Sequence, residues 1–182
     1  QITSSWISQY GSESATMLGI THNNITFVGK GKDTTTILGG FGIVNLENIT
    51  FKNMTVTNTS EEGCGISIRD AKVELIDVAL KGCRDTGLYI RFPPTSETTV
   101  VATRCEFANS RIGASVKGSL TSAKFNNCVF HDNERQGLIG SNDSTIHLHG
   151  EATAIHSNGG YGIFASNSAK VIIHLPSHHN TS

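Results

Sequence analysis

Gly65-Ile66-Ser67-Ile68-Arg69, Gly87-Leu88-Tyr89-Ile90-Arg91 and Gly113-Ala114-Ser115-Val116-Lys117 are three copies of one pattern. Each opens on glycine and then alternates apolar with polar residues. Two weaker copies follow, Gly137-Leu138-Ile139-Gly140-Ser141 and Gly162-Ile163-Phe164-Ala165-Ser166. The five glycines are separated by 22, 26, 24 and 25 residues. Self-similarity at so narrow a period marks a stack of repeats, each of which buries its flanks against its neighbours.

Two further blocks recur between the glycines. One reads Val78-Ala79-Leu80, Cys105-Glu106-Phe107, Cys128-Val129-Phe130 and Thr153-Ala154-Ile155. Three residues beyond each come Cys83, Ser110, Asn133 and Asn158, small residues suited to a ladder at a corner. The other reads Val73-Glu74-Leu75, Ala123-Lys124-Phe125, Ile146-His147-Leu148 and Val171-Ile172-Ile173. Three alternating stretches per coil predict an all-β chain. The fold is a right-handed parallel β-helix of about seven coils, three short strands each, rising about 34 Å in all.

Alternation then assigns the inward side chains: Ile66, Ile68, Val73, Leu75, Val78, Leu80, Leu88, Ile90, Phe107, Val116, Phe125, Phe130, Leu138, Ile146, Leu148, Ile163, Val171 and Ile173. The β-helix domain is expected over 19–176. Residues 1–18, with Trp6, Ile7 and Tyr10, read as a cap or lead-in, and 177–182 as a tail at a fragment boundary.

Composition agrees. The 182 residues include 19 Gly and only 3 Pro, suited to many tight turns between strands. No stretch carries helical apolar spacing, and no apolar run reaches the roughly 20 residues of a spanning helix. A net charge of −1, from 14 Lys+Arg against 15 Asp+Glu, gives no general attraction to nucleic acid. A charge-driven partner must therefore meet a local patch.

The stretch Asn24-Ile25-Thr26-Phe27-Val28-Gly29-Lys30-Gly31-Lys32-Asp33-Thr34-Thr35-Thr36-Ile37 resembles the entry coils of pectinesterase-like and pectate-lyase-like proteins. The later coils resemble the short repeats of the same superfamily, over roughly residues 19–176. The resemblance implies the fold, and it implies polysaccharide as a substrate class. Catalysis in that superfamily rests on clustered acids, whereas Asp70, Asp77, Asp85, Asp132 and Asp143 are scattered along this chain. No catalytic residue and no cofactor are assigned.

Two constellations remain. Positions two and four after each glycine point outward, so Arg69, Tyr89, Arg91 and Lys117 are expected on one stripe. Stacked cations repel, and an acidic polysaccharide would relieve that repulsion, with Tyr89 as a stacking platform; the competing reading is a solvated face. His147 and His149 share a strand face, and His174 aligns with His149 one coil on, within reach of a zinc-like ion. The alternative there is an exposed polar ladder.

Cys105 and Cys128 occupy equivalent inward positions, either as buried thiols or as a disulfide. Sequons at Asn24, Asn48, Asn53, Asn58, Asn142 and Asn180 are compatible with an extracellular or cell-surface glycoprotein. The functional expectation is a non-catalytic β-helix that binds carbohydrate or protein, or serves as a rigid spacer. A polysaccharide-modifying enzyme, or its substrate-binding portion, is the alternative.

Overall fold

A computed structural model describes residues 16–174. Its strands in chain order are β1 (Met17–Gly19), β2 (Thr26–Val28), β3 (Thr36–Leu38), β4 (Gly40–Val44), β5 (Ile49–Thr57) and β6 (Ile66–Arg69). Next come β7 (Lys72–Lys81), β8 (Thr86–Ile90), β9 (Thr98–Thr103), β10 (Glu106–Ala108), β11 (Ile112–Lys117) and β12 (Thr121–Asn126). The last six are β13 (Val129–His131), β14 (Leu138–Ser141), β15 (Thr145–His149), β16 (Ala154–His156), β17 (Ile163–Ala165) and β18 (Lys170–His174). No helix occurs among the described residues, so none there is long and apolar enough to cross a membrane.

All strands pair in parallel with the next coil. One sheet stacks β1, β4, β6, β8, β11, β14 and β17, giving seven coils. An eleven-stranded sheet holds the other two strand columns. They count as one sheet because β5 and β7 run through a corner that later coils break into β9 and β10, β12 and β13, and β15 and β16. The bend within β5 and β7 falls at Asn53 and Asp77, both at positive φ. Asn and Asp tolerate that left-handed conformation because their short side chains bond locally. Asp70, Asp132 and Asp143 also sit at positive φ, which explains why the acids scatter: four of the five singled out in the sequence serve as turn residues.

The glycines form one column. Ile66 pairs with Leu88, Ala114 with both Leu88 and Leu138, and Leu138 with Ile163, so the preceding glycines stack coil on coil. A Cβ on Gly87 would lie 2.6 Å from the Gly113 carbonyl oxygen, and one on Gly65 2.7 Å from that of Gly87. Close backbone approach, rather than φ, excludes a side chain there. Gly40 extends the column by one coil that the spacing did not reveal, since Phe41 pairs with Ile66. β1 pairs with β4, so the first described coil reaches into the stretch expected as a lead-in. Trp6, Ile7 and Tyr10, like the tail, lie outside the described residues.

The predicted ladder is present and starts earlier, at Asn58. Ser110 Oγ accepts the Cys83 N–H (3.0 Å), Asn133 Oδ1 the Ser110 N–H (3.2 Å), and Asn158 Oδ1 the Asn133 N–H (3.2 Å). Asn133 Nδ2 donates to Phe107 O (3.1 Å) and to Asn158 Oδ1 (2.8 Å), and Asn158 Nδ2 to Phe130 O (3.1 Å). Buried backbone groups at this corner are thereby satisfied coil after coil. Asn58 is buried and engaged by Thr16, Ser60 and Cys64, so its sequon is closed in the folded chain.

Two aromatic clusters fill the core. Phe27 stacks on Phe51 (4.9 Å) with Phe41 tilted against both. Phe107 stacks on Phe130 (4.7 Å) with Phe125 edge-on. Of the assigned inward residues, all are buried except three in the last coil. Ile163 and Val171 are half-buried, and Ile173 is 56% exposed. Ile173 faces inward beside Leu148, but no described coil covers it. All four cysteines are buried free thiols, with Cys105 and Cys128 on neighbouring coils.

Candidate functional site

The stripe expected after each glycine forms on the outer face of the seven-stranded sheet. The outward column runs Val44, Arg69, Arg91, Lys117 and Ser141, fixed by the pairs Val44 with Arg69 and Lys117 with Ser141. The bond from Arg91 N–H to Ile68 O (2.8 Å) seats Arg91 beside Arg69. The neighbouring column runs Ser67, Tyr89 and Ser115. Lys117 Nζ lies 5.4 Å from the centre of the Tyr89 ring, a cation–π contact between the two columns. Ser67 and Ser115 point outward yet are buried, and the Ser115 hydroxyl has no hydrogen-bond partner among the described residues. Burial pushes the Tyr89 phenol above its ordinary pKa, aided by Cys64, so the ring stays neutral.

Beside Arg69 a loop is tied to the corner at Asp70. Residues 92–97 account for the 26-residue spacing between Gly87 and Gly113. Asp70 holds this loop: its carboxylate accepts the N–H groups of Thr95 (2.7 Å) and Ser96 (2.8 Å) and the Thr95 hydroxyl (2.7 Å). Arg69 Nε is 3.6 Å from the same carboxylate. Burial acts to raise the Asp70 pKa, but the bonds from Ser96 and Thr95 and the charge of Arg69 outweigh it and hold the group below its ordinary value.

On the other flank of Tyr89 lies a cleft of about 540 Å³ that sequence reading missed. Glu61, Glu62, Asp85 and Glu134 line it with Arg84, Arg91 and Arg111. Asp85 pairs with Arg111 at 3.1 Å. The signal was present, because Arg84, Arg111 and Glu134 each directly follow a ladder position. Unequal coil lengths hid it. Cys64 also reaches the cleft, but burial and the Asp85 charge push its thiol up to about 12, so it is no nucleophile. Tyr89 thus stands between a cationic column and a mixed-charge cleft rich in carboxylates.

The three histidines also converge, on the outer face of the eleven-stranded sheet. His149 pairs with His174, and His147 lies two residues before His149 on the same face. His147 Nδ1 is 3.0 Å from His174 Nε2. Ring centres are 3.8 Å apart for His149 and His174, 5.3 Å for His147 and His174, and 6.0 Å for His147 and His149. One nitrogen from each lies within 4.8 Å of the other two. Desolvation, then the neighbouring His174, Lys124 and His147, lower the pKa of His149. A second histidine pair, His131 and His156, stacks at 5.2 Å, with His131 bonded to Asp132 and Glu106.

Comparisons with known proteins bear on the fold. No curated protein matches the chain. A solved structure described as Geobacillus virus E2 ORF18 is similar at a TM-score of 0.47 and 14% sequence identity. The alignment covers 85% of this chain and 40% of the viral one, so this chain spans well under half the length of that protein. Residues 39–181 match the family described as the right-handed β-helix region. With parallel coils, a stacked glycine column and an internal ladder behind that match, the chain belongs to the right-handed β-helix family.

Proposed function

We propose that this β-helix is a non-catalytic, surface-displayed module that binds an acidic polysaccharide along the outer face of its seven-stranded sheet. One observation carries the reading: Arg69, Arg91 and Lys117 stand in a single outward column with Tyr89 beside them. On a chain of net charge −1, that column concentrates positive charge over a few strand spacings of about 4.8 Å. A saccharide ring packs on Tyr89, its carboxylates or sulfates meet the cations, and its hydroxyls face the acids of the cleft.

The test is binding of oligogalacturonate and of a sulfated oligosaccharide, with a neutral oligosaccharide as control. Affinity for the acidic ligands is expected to fall as salt rises. Arg91→Ala should weaken binding more than Lys32→Ala, which lies outside the column. Equal effects of the two substitutions, or binding indifferent to salt, would leave the face as a solvated surface and favour a spacer or protein-binding role.

The four carboxylates of the cleft favour a second reading, a polysaccharide-modifying enzyme or its substrate-binding portion. New unsaturated or reducing ends in the same incubations, lost in Asp85→Asn or Glu134→Gln, would select it over the binding module.

A further inference from the structure

We propose that His147, His149 and His174 form a mononuclear site for a borderline divalent transition metal such as zinc(II), with a coordination position left open. The site rests on two strands whose register is fixed by five successive pairs from Thr145 with Lys170 to His149 with His174. The three imidazoles therefore project from a rigid scaffold, the arrangement that lets ligands converge without ordering a loop. Imidazole nitrogen is the donor that zinc, copper and nickel share, and three such donors with a free position are typical of sites that admit water or an outside ligand.

Distances fit. Two nitrogens bound to one tetrahedral zinc at about 2.0–2.1 Å lie roughly 3.3 Å from each other. His147 Nδ1 and His174 Nε2 are 3.0 Å apart, and the three rings offer one nitrogen each within 4.8 Å of one another. Closing the set requires rotation of the His149 ring out of its stack on His174; His147 and His149 are half-buried and His174 is exposed. Without metal, one of the two facing nitrogens carries the hydrogen that joins His147 to His174. Metal takes its place: the donor ring moves its N–H to the distal nitrogen, and both near lone pairs point at the ion. Neutral rings undergo this change with no net loss of a proton.

The surroundings set its strength. Lys124 pairs in register with His147 and Asn126 with His149, while Ile172 flanks His147 on the far side. Among the described residues no carboxylate pairs in register with any of the three rings, so they show none of the carboxylate–imidazole hydrogen bonds that tighten many zinc sites. Lys124 is exposed, and its charge opposes a cation nearby.

Calorimetric titration of the tag-free chain with zinc(II) tests the proposal, alongside the visible spectrum with cobalt(II). One ion per chain is expected, with the intense visible bands of tetrahedral cobalt. His147→Ala, His149→Ala and His174→Ala should each weaken binding at least about tenfold. Lys124→Gln should strengthen it. The double variant His178→Ala, His179→Ala should bind as the parent does. All the substituted rings of the strand-face set are at least partly exposed, and circular dichroism confirms that the variants fold. Absence of zinc binding by the parent chain, or binding that survives the triple alanine variant, would overturn the site. So would loss that tracks His178 and His179 instead.

Discussion

Phe107 and Phe130 lie in register on neighbouring coils, their ring centres 4.7 Å apart and their planes within 9° of parallel. Both are fully buried, and Phe125 closes the cluster edge-on against each. The backbones above and below are tied by parallel ladders and cannot collapse into a void. Phe130→Ala is therefore expected to cost about 3–5 kcal/mol of unfolding free energy in a denaturant titration. A loss below about 1 kcal/mol would mean that the aromatic stack does not support the core.

The ladder corner predicts an unusual ranking of substitutions. Asn133 uses its amide both as acceptor, from Ser110 N–H, and as donor, to Phe107 O and Asn158 Oδ1. Asn133→Ala leaves buried groups unpaired at about 1–3 kcal/mol each. Asn133→Asp keeps the shape but supplies no N–H to two facing oxygens, so at neutral pH it should destabilise at least as much as alanine. It should recover partly in acid, where the carboxyl regains a donor. An aspartate variant as stable as the parent at neutral pH would show that the donor role is wrong.

How far the fold could be read follows from these positions. Glycine, the ladder residues and the alternating apolar triplets recur once per coil, so each copy supports the others. Gly40 escaped because the coil it opens continues with Phe41-Gly42 rather than the usual alternation. The charges of the cleft escaped because unequal coil lengths hid their shared place after the ladder. The loop held by Asp70 escaped for another reason: its bonds to Thr95 and Ser96 are made in one coil alone, and periodicity carries no trace of them. The outward stripe and the histidine trio were legible because their members occupy repeat positions.

Acid should loosen the loop at residues 92–97. The folded pKa of Asp70 is lowered, so its contribution is fully present above the ordinary carboxylate value of about 3.9. That contribution is lost as pH falls below this value toward the folded pKa. Hydrogen bonds to a charged acceptor contribute about 1.5–3 kcal/mol, so Asp70→Asn should lower stability at neutral pH and flatten the acid dependence. Asp77, held down by Arg104, keeps its own acid dependence in both proteins and cancels in the comparison. Identical pH–stability curves for parent and variant would rule out the loop anchor.

The cysteines should resist thiol reagents while the chain is folded. All four are buried, and the thiols of Cys64 and Cys83 are raised by desolvation. Maleimide labelling in native buffer is expected to be negligible, with four equivalents incorporated after denaturation. Rapid labelling of a native cysteine would place it at the surface.

The coils from Gly65 onward differ in length, yet every strand stays in register, because the surplus residues of the longest are set aside at one corner and clasped there by Asp70. That corner works as a graft point. New sequence can be spliced between Arg91 and Thr98 at the cost of loop closure alone, which grows only slowly with length. Core packing and the face beside the cationic column are thereby separable: sequence at that corner can change without disturbing the stack beneath it.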